Sequence, residues 1–430
     1  MFRGFSQIFN KANKDLRKRI YLTLFCLGLF ALGSSVTIPW ASQIYEDLGF
    51  LEIFNIMSGG GLRSFSIFAL GVSPYITASI ITQLLQMDII PYFKDLKEQG
   101  YTGRQKINKI NRYMGIIIGF VQAYVLCIFY MSGADLFTQL KTALVMTAGT
   151  AFCLWMGDQI TNKGIGNGIS MIIFVGIISG LPRGITAVWG LMFSAGTFST
   201  VGFIKALALV VGLLVLVAGV VFIQIAERRI PVQYAKKVVG RRMVGAQNTH
   251  IPLKLAMAGV MPIIFASSFM TFPAMILQIF VKDIATQTGF WAGVYRFSIA
   301  SSNSSVGIGY TIANAIVYLL LILGFTYFYT YAMFNPAEIS GNIKRNGGFI
   351  PGIRAGKPTT DYLSSVISKL SLVGGIFLAI IAILPMIANF TNLNIAFGGT
   401  SILIVVGVAL ETIQQLESQL VTRHYKGFLE

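Results

Sequence analysis

The chain has 430 residues, 55% of them hydrophobic and only 11% charged, with a formal net charge of +17. Soluble domains carry about 25% charged residues, so this composition excludes an ordinary soluble fold and indicates a membrane protein. The three cysteines, Cys26, Cys127 and Cys153, lie inside apolar runs without a CxxC pair, which favours buried small hydrophobes over redox or metal chemistry.

A spanning helix needs roughly 20 mostly apolar residues. Residues 1–19 are basic and polar, and the apolar run at 20–36 is long enough to span, so no cleavable signal peptide is expected. Residues 53–90 read as a short half-helix followed by a full helix over 72–90. The SGGG at 58–61 cannot continue a stable helix, and Gly71 and Pro74 interrupt the chain again. Irregular backbone at membrane depth is tolerated only where protein or a water-filled cavity surrounds it. The stretch from Gly59 to Pro74 therefore predicts a re-entrant segment beside an aqueous path. Further spans are predicted at 113–131, 142–158, 169–185, 202–225, 255–281, 309–334, 370–388 and 398–412, giving ten in all.

Lys and Arg set the orientation. Taken alternately, the polar segments 1–19, 91–112, 159–168, 226–254, 335–369 and the C-terminal tail hold 27 basic residues. The rest of the chain holds six: Arg63, Lys141, Arg183, Lys205, Lys282 and Arg296. Both termini are expected in the cytoplasm. Two of the basic segments, 226–254 and 335–369, are long and contain Gly and Pro, and ribbons or short helices reaching into the cytosol are expected there. In the first, Ile230, Val232, Tyr234, Val238 and Val239 alternate loosely with basic residues. Composition leaves anionic lipid and a partner equally open as what this charge meets.

The span centres carry no Asp, Glu, Lys or His. Asp88, Asp158, Glu227 and Glu411 sit near span ends, and His250 and His424 lie in cytoplasmic segments. Intramembrane ionisable groups usually mark ion relays or catalysis, so this pattern argues against an ion-coupled transporter and against an intramembrane metallo- or aspartyl protease. GIGNG at 164–168 follows no nucleotide-binding strand and reads as a tight turn between two helices.

Several strings, in order along nearly the whole chain, resemble the SecY family, the central subunit of the bacterial protein-conducting channel. They are IFNIMSGG at 53–60 with SIFALGVSPYITASIITQLL at 66–85, and GDQITNKGIGNGISMIIFVGIISGLP at 157–182. They continue with RRIPVQYAKK at 228–237, GAQNTHIPLKLAMAGVMPIIFASS at 245–268, FNP at 334–336, FIPGIRAGKPT at 349–359 and FGGTSILIVVGVALE at 397–411. The resemblance implies an all-α polytopic protein of two inverted-repeat halves, 1–190 and 200–420, with a short cytosolic tail at 421–430 and an hourglass pore between the halves. It assigns the pore ring to Val72, Ile76, Ile173, Ile264 and Ile404. The plug would comprise Ile53, Phe54, Asn55, Ile56, Met57, Ser58, Gly59, Gly60 and Gly61, within 53–64, with the glycines giving freedom to move. A polar lateral-gate cluster would be Thr77, Gln122 and Ser268, and partner-binding loop residues Arg241, Arg242 and Arg354. Taken singly, each aliphatic residue is far more often packing or lipid contact.

The resemblance further implies a non-enzymatic channel without cofactor or metal in the bacterial cytoplasmic membrane. It would translocate unfolded polypeptides and release membrane proteins laterally. The partners would be SecE-like and SecG-like small subunits, the motor ATPase SecA, the ribosome, signal sequences and nascent chains. The rival is a secondary transporter of small solutes, which would share broken helices and repeats. One departure from the family pattern falls after Pro39, where a second Pro and a Gly are replaced by Trp40, Ala41 and Ser42. That leaves the entry to the plug segment open.

The charge asymmetry predicts that reporters fused near Lys97, Lys237 and Lys344 are cytoplasmic and those near Asp135 and Lys282 external. A cytoplasmic signal at Lys282 would show that the helices have been joined in the wrong order.

Overall fold

The computed structural model describes residues 14–41, 55, 58–86, 90–131, 133–194, 197–198, 200–234, 237–239, 242–244, 248–280, 289–300, 307–390 and 399–426. Among them, seven helical stretches are long and apolar enough to cross a bilayer. They lie in α4 (Tyr101–Tyr130), α5 (Leu136–Lys163), α6 and α7 (Gly168–Ser179 and Leu181–Met192), α8 (Thr200–Ile225), α11 with α12 (Ile308–Met333 and Pro336–Arg345), α13 (Lys357–Phe390) and α14 (Gly399–Lys426). The remaining three expected spans fall on α1 (Lys14–Ser35), α2 (Ser73–Leu85) and α9 (Met261–Phe280). Between α2 and α4 runs the short α3 (Pro91–Glu98), and before α11 lies α10 (Phe290–Ile299). The latter sits inside a segment expected to be a loop. Asn314 Nδ2 on α11 donates to its Phe297 carbonyl at 2.6 Å.

The chain divides into two compact units, one of residues 1–191, 276–283 and 408–430, the other of 192–275 and 284–407. In the first, α4 packs on α2 and α5, and α5 on α6. Glycines set the spacing. A Cβ on Gly115 would lie 3.2 Å from the Tyr75 Cα, and one on Gly119 would lie 3.5 Å from the Pro74 ring. One turn apart, they form a groove that admits α2. The GIGNG segment is the expected tight turn. Gly166 takes φ +85°, and three of the segment's donors meet side chains. Ile165 N donates to Thr23 Oγ1 (3.1 Å), Gly166 N to Gln415 Oε1 (2.7 Å) and Gly168 N to Thr161 Oγ1 (2.9 Å). Leu16 and Ile165 are buried beside it, against Ile20 and Leu416.

The second unit opens with two short antiparallel strands, β1 (Phe193–Ser194) and β2 (Thr197–Phe198), and in it the two long basic segments fold together. β3 (Glu227–Tyr234) pairs antiparallel with β6 (Asn248–Lys254) on one side and with the two-residue β7 (Gly348–Phe349) on the other. At the hairpin tip, β4 (Lys237–Val239) pairs with β5 (Arg242–Val244). The alternation read in β3 is real: Ile230 and Val232 are buried while Pro231 is exposed. They share a core with Leu253, Ile343, Ile350, Leu363, Val366 and Ile367, contributed by the other segment. Above this core α13 packs on α11, where a Cβ on Gly375 would lie 2.9 Å from Leu323.

Candidate functional site

The break in helical order read at Gly59–Pro74 is a chain of turns over 58–72. Asn55 organises its first part. The Asn55 carbonyl accepts from Gly60 N at 2.7 Å and from Ser58 Oγ at 3.1 Å, and the Asn55 Oδ1 accepts from Arg63 N at 3.1 Å. Ser58 Oγ accepts in turn from Leu62 N at 3.3 Å. Asn55, Ser58 and Leu62 are all buried. Gly59 (φ +74°) and Gly60 (φ +83°) are left-handed, a conformation that other residues adopt only at a cost. Gly59 also lies directly on Ser179 and Gly176 of α6. Gly61 is required for space instead, because a Cβ there would stand 2.5 Å from Ser66 Oγ.

Beyond Phe65 the chain is fixed to its surroundings. Residues 36–38 and 65–67 form a short ribbon, with Ile38 N donating to the Phe65 carbonyl (2.9 Å) and Ile67 N to the Val36 carbonyl (3.0 Å). The Ile67 carbonyl presses on Gly149 of α5, where a Cβ would leave no room for it. Phe68 stacks between Phe30 of α1 and Phe152 of α5, 5.9 Å from each, and Phe152 stacks on Trp155. The open question after Pro39 resolves here. The Trp40 indole donates to Thr142 Oγ1 at 2.9 Å, and Lys141 Nζ sits 3.9 Å over the Trp40 ring. Phe65 itself has φ +45°, the only described non-glycine residue with positive φ.

The helix begins again at α2. Gly71 (φ +53°) turns the chain and Pro74 stands in the first turn, where a missing N–H costs nothing. Val72 is the N-cap, and its carbonyl accepts from Tyr75 N and Ile76 N. Ser58 is in van der Waals contact with the position a Gly71 Cβ would take, 3.7 Å from the Ser58 Cβ. Val72 adjoins Gly71, which faces Ser58, and Ile173 lies one turn before Gly176, which faces Gly59. Val72 and Ile173 are buried, and Ile76 follows Val72 by one turn, half-buried. In the second unit a Cβ on Gly407 would lie 2.9 Å from Val260 and 3.1 Å from Gln224. Gly407 therefore brings α14 against the start of α9, and Ile404 and Ile264 each lie one turn from that contact.

Of the polar trio, Thr77 and Gln122 belong to the first unit and Ser268 to the second. Thr77 Oγ1 donates to the Ser73 carbonyl of its own helix at 3.3 Å. Gln122 is buried on the α4 stripe that carries Gly115 and Gly119. Arg354 is exposed on the loop after β7, where its carbonyl accepts from Thr359 Oγ1 at 2.8 Å. Arg242 opens β5, and Arg241 lies outside the described residues, as do Ile53, Phe54, Ile56 and Met57. Asp158 pairs with Arg112 at 2.7 Å. Among the described residues no group of three His, Cys, Asp or Glu side chains is placed to hold a metal. Sequence reasoning missed Ser66, Gly149, the Phe68 stack and the Lys141–Thr142 clamp. Only Trp40 left a signal, as a departure from an expected pattern.

The SecY family model matches residues 66–413. A protein translocase subunit SecY of Halalkalibacterium halodurans is 43% identical over all of this chain and all of that protein. Among solved structures, a translocation channel whose SecY plug domain is described as stabilising the closed state and maintaining a membrane seal superposes with a TM-score of 0.67 at 18% identity, covering 95% of this chain and 93% of that one. The Sec61 of a canine ribosome–channel complex from the endoplasmic reticulum gives 0.66 at 18% identity with the same coverage. At such identities the two structures speak for the fold alone.

Proposed function

The chain belongs to the SecY family, and from that membership we propose that it forms a channel through which unfolded polypeptides cross, or pass sideways into, the bacterial cytoplasmic membrane, with both termini in the cytoplasm. The observation that carries the reading is the seat of residues 58–61. Irregular backbone lies against Gly71, which leads into α2 at Val72, and against Gly176 of α6, one turn after Ile173. In this reading residues 53–64 are the plug. Val72, Ile76, Ile173, Ile264 and Ile404 form the ring, and Thr77, Gln122 and Ser268 the gate that a signal sequence parts. Apolar side chains seal by excluding water and offer no fixed hydrogen bonds to hold a moving chain. The mechanism needs no cofactor and no catalytic group, so partners supply the energy. A small SecE-like subunit clamps the halves and a SecG-like one joins them. The motor SecA and the ribosome dock on the basic cytosolic subdomain. A secondary transporter of small solutes would need a polar site at mid-membrane, and the span centres lack the charged residues for one.

The ring is tested by conductance in planar bilayers. Without mid-membrane charge, the ion barrier depends on side-chain polarity more than on volume. Replacing Ile76, Ile264 and Ile404 together with Ser wets the neck and lets small ions through, whereas Leu at all three keeps it tight. Deleting residues 55–64 adds to the leak. A triple-Ser channel as silent as the parent, with and without that deletion, would show that these residues are packing.

Docking is tested by charge reversal. Arg354→Glu is expected to stop SecA-driven transport while assembly stays intact. Arg241→Glu with Arg242→Glu weakens ribosome binding in a salt-sensitive way, most at low salt, where charge is least screened. Normal binding of both partners by the reversed loops would return this charge to a lipid-facing role.

A further inference from the structure

The base of the 55–64 segment combines tight bonding with two local penalties. Ser66 is fully buried, and its N–H donates to the Gly61 carbonyl at 2.9 Å. Its hydroxyl has no hydrogen-bond partner among the described residues, and it occupies the space a Gly61 side chain would need. A buried hydroxyl left unpaired carries its full desolvation cost. The adjoining Phe65, buried and left-handed, carries a backbone cost that glycine would not. Its N–H donates to the Leu62 carbonyl at 3.2 Å, so the conformation is tied to the seated segment.

Both costs belong to the seated state. The ribbon through Phe65, Ser66 and Ile67 is held from the other side by Val36, Ile38, Gly149 and Phe68, as described above. If residues 58–62 leave, the Ser66 hydroxyl meets water and the Phe65 backbone loses the bond that constrains it, while the anchor stays.

We propose that the close contact of Gly61 with Ser66 is the latch that sets how readily the segment leaves its seat, with Gly61 and Ser66 as positioning residues for gating. The inference rests on reading residues 55–64 as the plug. Glycine at 61 lets the backbone close over the serine, and the unpaired hydroxyl beneath keeps the closed state from being too stable to open. The latch is thereby separated from the Phe68 and Trp40 anchor.

The test uses the full chain purified with its own membrane subunits and reconstituted in planar bilayers. The reading is the fraction of time spent conducting at a fixed concentration of a synthetic signal peptide. Ser66→Ala removes the unpaired hydroxyl and lowers that fraction about tenfold. Gly61→Ala drives a methyl onto the Ser66 oxygen, lifts the segment and raises the fraction about tenfold. The double variant lacks the clashing oxygen and returns towards the parent, which a merely structural defect at Gly61 would not do. An unchanged fraction in Gly61→Ala, or a double variant as leaky as Gly61→Ala, overturns the latch. If Gly61→Ala fails to assemble, Ser66→Ala decides alone, and a fraction equal to the parent's overturns it. Deletion of residues 55–64 separates the two readings. If the deletion does not raise conductance, the plug reading falls and the latch with it. If it does while the point variants stay silent, only the latch falls.

Discussion

Inside a bilayer a backbone N–H or C=O has no water to turn to, and each one left unpaired costs several kcal/mol. Residues 58–72 have no helix to satisfy them, so everything around them supplies bonds instead. Asn55 closes the first turns with its carbonyl and side chain, Ser58 takes the Leu62 N–H, and the ribbon to Val36 and Ile38 takes the next groups. The arrangement exists because α1, α5 and α6 wall it in, and Gly33, Gly149 and Gly59 allow that approach. Helices that merely shared the lipid would not need glycines at 33 and 149, where Phe68 and Ile67 press.

The strengths of these contacts are unevenly distributed. On the anchored side, two ring stacks on Phe68 contribute about 0.5–1.5 kcal/mol each beyond their burial. A cation–π contact such as that of Lys141 with Trp40 adds roughly 0.5–2 kcal/mol, less at an exposed site. The Trp40–Thr142 hydrogen bond adds about 1 kcal/mol more. On the other side of Phe65 the segment is held by single hydrogen bonds of similar size, by close glycine contacts and by one large apolar side chain, the buried Leu62. It also carries a left-handed Phe65 and an unpaired Ser66 hydroxyl. If residues 53–64 are the plug, as proposed, residues 58–62 are the part that moves and residues 65–68 the part that stays. A channel that must open without losing its fold needs that division.

Span positions were legible because lipid demands about 20 apolar residues wherever the chain crosses. Helix ends were not, because hydropathy reports the membrane and not the helix. The α4 helix starts at Tyr101, well before the apolar window at 113, and α14 runs on to Lys426. The amphipathic α10 carries too little continuous hydrophobicity to register. Ile230 and Val232 announced a strand by their alternation. That their core comes from Ile343, Leu363 and Ile367, more than a hundred residues on, is a tertiary fact with no local signature. The same holds at the site. Gly59, Gly60 and Gly61 stood out as breakers, but only the three-dimensional neighbours separate two that serve a left-handed turn from one that makes room for Ser66. Trp40 was visible as an oddity, and its partners lie about a hundred residues away.

In the proposed reading residues 58–62 leave a buried seat while residues beyond Phe65 do not. Ser58→Cys, Leu62→Cys and Ala69→Cys, introduced singly, would report this through their modification by a membrane-impermeant thiol reagent added from outside. All three positions are buried at rest. All three are expected to be protected in the idle channel. With a translocating polypeptide trapped in it, 58 and 62 become labelled and 69 stays protected. Continued protection of 58 and 62 with the polypeptide in place, or labelling of 69 alongside them, would contradict that reading.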